Sequence, residues 1–465
     1  MTLYEYVDRI KYKKIAVIGV GVSNMPLIEL LRQHDCDVTA CDRRSFEQMG
    51  EDAKHLLDLG TKLKLGDDYL EGLDFDLIFR APSLMPFEKH LQEAASKGAF
   101  ITSEMEVFMS LCPCRTIAVT GSDGKTTTSS IIAELLSAAG YTVHLGGNIG
   151  RPLLCDLPEF KPDDIAVLEL SSFQLHSMLC QPDIAVITNI SPNHLDIHKD
   201  YQDYIDAKRA VFEFQSPNSR VIMNYDDGMT HYFEQYSCAQ KAYFSDKTEL
   251  HDGAMCNGGV IYRVCAGQKR PVMKASEILL PGEHNLLNYL AAFAAVEQLV
   301  DDRTCAMVAK SFSGVEHRLE LVRVLNGVTY INDSIATSPT RTIAGLHALK
   351  TKPIVIAGGY DKGIPFDGLA DELCLYAKEV FLTGDTAGKI YEAVVHSPCY
   401  ELNPIGVYIV EDFSQAVWEA SVHAKSGDIV LLSPACAAFD RFKNFVERGK
   451  LFKSIVNDLD KNGLE

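Results

Sequence analysis

Ile117-Ala118-Val119-Thr120-Gly121-Ser122-Asp123-Gly124-Lys125-Thr126-Thr127-Thr128 is a short apolar run that breaks at a glycine, turns, and enters a longer segment ending near Gly140. Strand, glycine-bounded turn and helix in that order make a phosphate loop, because successive backbone N–H groups and a helix N-terminus attract phosphate oxygens. The Lys125 ammonium would neutralise β- and γ-phosphates, and the Thr126 hydroxyl can ligate Mg2+. The strict G-x-x-x-x-G-K-[ST] spacing is not met, since Val119 stands at the first glycine position. The pattern is a shortened G-x-x-G-K-T, with Gly121, Ser122, Asp123, Gly124 and Thr127 completing the cradle. The competing reading is a Gly-Lys-Thr in a plain surface turn.

Working outward, the same kind of run recurs as IAVIGV, DIAVLEL, IAVITN, RVIMN, PIVIAGG, EVFLTG and GDIVLLS, alternating with amphipathic segments. Continuous apolar strands that end in Gly, Asn or Ser predict buried parallel strands followed by helices, hence an α/β class. No solenoid repeat and no low-complexity segment interrupts them. At roughly 150 residues per domain, 465 residues predict about three domains. Turns at Cys112-Pro113-Cys114 and Ser313-Gly314 place the cuts at 1–111, 112–314 and 315–465.

A Mg-ATP site needs oxygen-rich ligands at strand ends near the loop. Glu169 terminates IAVLEL, and the next strand leads into Ser191-Pro192-Asn193-His194-Leu195-Asp196. Alone, His194 reads as a satisfied loop histidine; in register with a phosphate loop and Glu169 it reads as a ligand. The helix beyond, DYQDYIDAKRAVFEF, carries Lys208 and Arg209, which by residue type make a solvated basic face.

A second glycine turn, Gly19-Val20-Gly21-Val22-Ser23-Asn24, follows the first strand and opens a helix through Leu27, Leu30 and Leu31. It suits a diphosphate, with Asn24 where a dinucleotide fingerprint has its third glycine. About twenty residues on, a strand ends at Asp42, followed by Arg43 and Arg44, which could hold a ribose or a phosphate. A nucleotide diphosphate and a plain strand-to-helix turn both remain open on this motif.

Composition sets the outer bounds. Hydrophobic residues at 47% and charged residues at 23% describe an ordinary soluble globular chain. A net charge of −19 argues against nucleic-acid or anionic-membrane partners, which need a basic footprint. The start, MTLYEYVDRIKYKK, lacks an apolar h-region, and no run reaches 18 apolar residues, so neither secretion nor membrane spanning is expected. Thirteen cysteines scattered singly predict buried thiols in a reducing cytoplasm.

Taken together, the shortened phosphate loop, Gly147-Asn148-Ile149-Gly150, Glu169 in LELSSFQL, His194 and Lys208 resemble the Mur ligase family over essentially the whole chain. The likeness continues through Gly282-Glu283-His284-Asn285, Asn288, His317-Arg318, Asn332-Asp333-Ser334 and Gly358-Gly359-Tyr360-Asp361-Lys362. The run SPACAAFDRFKNFVERG has the form of those members that add D-glutamate to UDP-N-acetylmuramoyl-L-alanine, and the Asp-Asn-Pro-Arg motif of diaminopimelate- or lysine-adding members is absent.

The resemblance implies an N-terminal Rossmann-like domain for the uridine nucleotide, a central ATPase domain with a mainly parallel sheet, and a C-terminal Rossmann-like domain for the amino acid. It implies a cytoplasmic monomer using ATP and Mg2+ in peptidoglycan precursor synthesis, and so in cell wall formation, cell shape and division. Asn288 would meet adenine, Asp333 the ribose and Arg318 the phosphates of ATP. Thr126, Glu169, His194 and a carbamylated Lys208 would surround the metal. The uridine substrate would be met by Val22, Ser23, Asp42, Arg43, Ser83, Asn148 and His194. The amino acid would be met by Thr337, Lys362, Ala438, Phe439 and Phe445. Lys125, Glu169, His194 and Lys208 would carry the chemistry, through an acyl phosphate on the L-alanyl carboxylate that the D-glutamate amine attacks.

The chain departs from the family pattern at Ile335, where a lysine is usual, at Ala438, where a serine hydroxyl is common, and at Ala81-Pro82-Ser83, which replaces Ser-Pro-Gly. A sibling ligase, including one extending folate with glutamate, should lack SPACAAFDRFKNF. A nicotinamide-dependent oxidoreductase would leave Lys125, Glu169 and His194 without use, and a silent nucleotide-binding interaction module would not need all the metal ligands.

Overall fold

The computed structural model describes residues 1–460 except Leu195, Asp196, Pro281, Lys350 and Lys362. Its fold is α/β, in two compact units, Met1–Phe312 and Ser313–Glu465. Among the described residues no helix is long and apolar enough to cross a membrane.

The first unit holds two sheets. Strands β1 (Lys14–Ile18), β2 (Asp37–Asp42), β3 (Lys62–Leu65), β4 (Leu77–Arg80) and β5 (Phe100–Thr102) form a parallel sheet in the order β3-β2-β1-β4-β5. The second sheet runs from β6 (Arg115–Thr120) and β7 (Val143–Gly147) through β8 (Ile165–Glu169), β9 (Ile184–Ile187), β10 (Arg220–Asn224) and β11 (Gln240–Ser245). It ends with β12 (Gly253–Asn257), β13 (Val260–Cys265) and β14 (Gln268–Lys274). Its order is β14-β13-β12-β11-β10-β9-β6-β8-β7, with β6 between β8 and β9. Strands β13 and β14 join it as an antiparallel extension. A 3-10 segment, Leu154–Glu159, packs against helices Leu3–Ile10, Asn24–Gln33 and Glu104–Leu111, so one apolar core runs through both sheets of this unit.

The opposite face of the central sheet is covered by helices Lys125–Ala138, Glu283–Ala295 and Asp302–Ser311. Ile131, Ile132, Leu135 and Leu136 of the first of these are fully buried at helical spacing, each contributing about 1.5–3 kcal/mol by removal from water. That burial anchors the helix whose N-terminus faces the phosphate loop.

The second unit has one sheet of β15 (Glu320–Leu325), β16 (Val328–Asn332), β17 (Ile354–Ala357), β18 (Glu379–Leu382), β19 (Gly406–Ile409) and β20 (Ile429–Leu432). Its order is β15-β16-β20-β17-β18-β19, parallel except for the β15–β16 hairpin, with apolar cores on both faces.

All eight apolar runs are strands, namely β1, β6, β8, β9, β10, β17, β18 and β20. The cysteine expectation holds only in part: seven thiols are buried, but Cys238 and Cys265 are exposed and four others half-buried. A small apolar side chain at a strand edge is not obliged to be covered.

Candidate active site

At the end of β6 the chain turns through Gly121–Gly124 into the helix Lys125–Ala138. Gly121 has φ +147° and a Cβ there would collide with Thr188 Oγ1, while Gly124 caps the helix at φ +77° against the Asn288 amide. Both positions demand glycine for conformation and for room. The loop is braced from outside: Ser122 Oγ lies 2.7 Å from the Tyr204 hydroxyl and 2.9 Å from the Ser191 carbonyl, and the Asp123 N–H donates to Asn189 Oδ1 at 3.0 Å. Lys125 Nζ donates to the carbonyls of Gly121 (2.9 Å) and Ser122 (2.8 Å), which keeps the ammonium over the loop. Thr126 is buried and Thr127 half-buried in the first helical turn. Asn288 is buried beside the loop, accepting from Thr128 Oγ1 at 3.2 Å.

Parallel pairing puts Glu169 in register with Val119 and Gly147, so its side chain leaves the sheet at the same edge as the loop. The carboxylate is buried; Oε1 accepts from Asn148 Nδ2 at 2.8 Å, and Oε2 has no hydrogen-bond partner. A buried carboxylate oxygen without a donor is costly, and a metal ion is the ligand that would repay it. By chemistry the candidate donors fit Mg2+: Thr126, Glu169 and His194 offer a hydroxyl, a carboxylate and an imidazole. His194 is exposed at φ +54°, with its ring 5.0 Å from that of Phe173.

Lys208 is where the structure departs from a solvated basic face. Its side chain is buried, Nζ donates to the Gly121 carbonyl at 2.7 Å and to Thr120 Oγ1 at 3.4 Å, and it sits 4.8 Å from the Tyr204 ring centroid. Burial, and then the Lys125 charge, push its pKa well below the ordinary lysine value, with Glu169 and Asp123 opposing. Arg209, one residue on, is a surface cation instead, paired with Asp206 and Glu213 and lying over Tyr236. A helix turns neighbours by about 100°, so adjacent basic residues have opposite fates.

The glycine turn after β1 lines an open cleft with Val22, Ser23, Asp42, Arg44 and Ser83. Asn24, in place of the third glycine, donates to the Ile18 and Gly19 carbonyls at 3.1 and 2.9 Å and so closes the turn by side chain. Asp42 is buried, which opposes ionisation. Arg44 and the Arg44 and Val20 N–H groups outweigh this and hold its carboxyl below the usual range. Arg44 lines this cleft, whereas Arg43 is exposed and not among its lining residues. A separate small cavity, which shares Ser23, Asn24 and Pro82 with this cleft, is lined by Arg80, Glu104 and Gln174.

In the second unit Arg318 is exposed. Asp333 is buried, accepting from Ser433 Oγ at 2.9 Å and the Leu319 N–H at 3.2 Å. Lys362 lies outside the described residues. Thr337 and Phe445 are half-buried, Ala438 is buried, and Phe439 is 63% exposed with its ring against Tyr360. Arg448, to which no role was given from the sequence, gathers these segments. Its buried guanidinium donates to the Ser334, Cys436 and Ala437 carbonyls at 3.0–3.2 Å and to Ser334 Oγ at 3.1 Å. Four neutral acceptors and no carboxylate mark an arginine spent on holding loops.

Burial pushes the Asp333 carboxyl up to about 7. A folded pKa above the unfolded one means the folded state binds the extra proton. Its contribution is therefore complete below about pH 4 and lost as pH rises through about 7. Asp333→Asn is expected to flatten that fall, on the order of a few kcal/mol, in urea unfolding of the full chain at pH 5, 6 and 7. An unchanged slope would remove Asp333 as its source.

Residues 119–296 match the Mur ligase middle domain and residues 317–436 the Mur ligase glutamate ligase domain. The chain is 45% identical over 462 residues to the UDP-N-acetylmuramoylalanine--D-glutamate ligase of Acetivibrio thermocellus, covering 98% of this chain and 99% of that one. It is 45% identical to the ligase of the same description from Clostridium novyi, again over 98% and 99%. Among solved structures it shares a fold with UDP-N-acetylmuramate-alanine ligase of Thermotoga maritima, at TM-score 0.54 and 18% identity over 97% of this chain and 100% of that one. With a phosphate loop, a buried orphan carboxylate and a buried lysine at one sheet edge, and relatives alike from end to end, the chain belongs to the Mur ligase family.

Proposed function

We propose that the protein joins D-glutamate to the L-alanyl carboxylate of UDP-N-acetylmuramoyl-L-alanine at the expense of ATP, in peptidoglycan precursor synthesis. End-to-end likeness to D-glutamate ligases carries the amino-acid assignment, and the phosphate loop beside Glu169 and Lys208 supports the phosphoryl-transfer step. The domain division at 111 and 314 is part of the same reading, with one sheet each for the uridine substrate, ATP and the amino acid.

A carboxylate is a poor electrophile, so it is activated first. Its oxygen takes the γ-phosphoryl group, ADP leaves, the amine attacks the acyl phosphate, and inorganic phosphate departs. The loop N–H groups and Lys125 hold the transferring oxygens and disperse their charge. Thr126, Glu169 and His194 would hold Mg2+, which would supply Lewis-acid polarisation of the phosphoryl oxygens. Asn148 orients the Glu169 carboxylate. Lys208, whose charged form is disfavoured by burial, would carry a carbamate and so present oxygen to the metal instead of an ammonium. The Ser23, Asp42 and Arg44 cleft would take the uridine nucleotide, and the segments gathered by Arg448 would take D-glutamate, backbone groups and Thr337 replacing the hydroxyl that Ala438 lacks.

Phosphate release with UDP-N-acetylmuramoyl-L-alanine, Mg-ATP and one amino acid at a time tests this. Turnover is expected with D-glutamate alone; turnover with L-lysine or diaminopimelate in its place would assign the chain to a sibling activity.

A further inference from the structure

Outside the groups that face the phosphates lies a second polar cluster that the reaction does not use. His198 is wholly enclosed, yet both ring nitrogens are engaged: Nδ1 lies 2.8 Å from Asp203 Oδ2 and Nε2 lies 2.9 Å from Ser172 Oγ. The other oxygen of Asp203 meets His176 Nε2 at 2.9 Å. One consistent assignment has both imidazoles donating to the carboxylate and the Ser172 hydroxyl donating to His198 Nε2. The Phe173 ring stacks on His198 at 5.4 Å and 12°, and the Tyr204 ring meets its edge at 5.3 Å.

The places these residues hold in the chain give the cluster its meaning. Ser172 lies three residues after Glu169, His198 four after His194, and Asp203 five before Lys208. The stretches that carry His194 and Lys208, near one another in sequence, are thus fastened by a buried network to the distant stretch that carries Glu169, and each holds one candidate metal ligand. Phe173 touches both histidines of the loop, and Tyr204 links the cluster to Ser122 and lies beneath Lys208.

We propose that His198 is a positioning residue, the latch that fixes the mutual spacing of Glu169, His194 and Lys208 for the divalent cation. The inference rests on the metal reading under Proposed function and deepens it. Metal affinity depends on ligands being held before the ion arrives, and outer-shell partners typically tune it ten- to a hundred-fold. A ligand carboxylate displaced by a fraction of an ångström loses most of that advantage. The same three side chains could instead bind a metal themselves. Enclosure of His198 and the engagement of both its nitrogens favour the latch.

The full-length protein decides between them, with Mn2+ as the probe, its binding followed by electron paramagnetic resonance. Ser172→Ala and His198→Phe are expected to raise the Mn2+ dissociation constant, and the Mg2+ concentration for half-maximal activity, about ten- to a hundred-fold. Metal-free ADP should bind within about two-fold of wild type, a split that general loosening of the fold would not give. His198→Asn, which keeps a donor for Asp203, should fall between. Folded Ser172→Ala protein with wild-type Mn2+ affinity overturns the latch, and this variant decides alone if His198→Phe does not fold. Stoichiometric zinc in the wild-type chain that His176→Asn releases overturns it in favour of a metal site. A wild-type chain with no Mn2+ affinity overturns the metal reading itself and this inference with it.

Discussion

Lys125→Ala is expected to lower kcat several hundred-fold while the melting temperature stays within a few degrees of wild type. Loss of one preorganised electrostatic group at a developing oxyanion costs about 3–4 kcal/mol, and each 1.36 kcal/mol is about ten-fold in rate. Lys125 stands at the first position of its helix, where a cation opposes the helix dipole, and it donates to the loop carbonyls of Gly121 and Ser122. Alanine is also the better helix former. Lys125 further depresses the Lys208 pKa, so its removal should let Lys208 hold its proton to higher pH. Phosphate release and circular dichroism on the same preparation check both halves; near-normal turnover from a folded variant would remove Lys125 from phosphoryl transfer.

The strand pattern and the phosphate loop were legible because both rest on local chemistry. A continuous apolar run needs burial on both faces, and a glycine-bounded turn before a helix has few other uses. Glu169 was legible for the related reason that a carboxylate ending a fully apolar strand must go somewhere polar. What escaped depends on the third dimension. Lys208 was reached through the family resemblance alone: it and Arg209 are adjacent cations in an amphipathic segment, and nothing local says that one is buried and the other stays outside. Arg44 faces the first cleft because it folds back to chelate Asp42, a contact that Arg43 would suggest equally well from sequence. The hairpins β12–β14 and β15–β16 were missed because their alternating, partly exposed strands lack the long apolar runs of the parallel ones. The latch was missed because a serine 26 residues before the histidine and 31 before the aspartate carries no spacing signal. Its only trace was that His198 and Asp203 flank the start of a helix already under suspicion.

Replacing Lys208 should separate stability from activity more sharply than any other single change. An ammonium enclosed among Thr120, Gly121 and Tyr204 has lost its water and gained only neutral acceptors, an arrangement that costs stability unless the amine is neutral. Neutral Nζ can attack CO2; one N–H proton leaves to solvent and an anionic carbamate remains. Two cations, Lys125 and Lys208, beside the same loop would repel Mg2+, whereas a carbamate beside Lys125 and Glu169 would share in holding it. Lys208→Met keeps the apolar stem and removes the amine. It is expected to leave the melting temperature equal or higher, since exchanging a poorly compensated buried charge for a hydrophobe is often neutral or stabilising. Turnover should nonetheless fall about a hundred-fold or more, because under the proposed carbamate role the metal would lose an oxygen ligand. Wild-type protein equilibrated with 13C-bicarbonate should show a carbamate resonance that Lys208→Met lacks. A fully active Lys208→Met protein would reduce the residue to packing. Active wild type without the resonance would mean that Lys208 works as a neutral amine donating to the loop, and the missing oxygen ligand would then have to come from water or substrate.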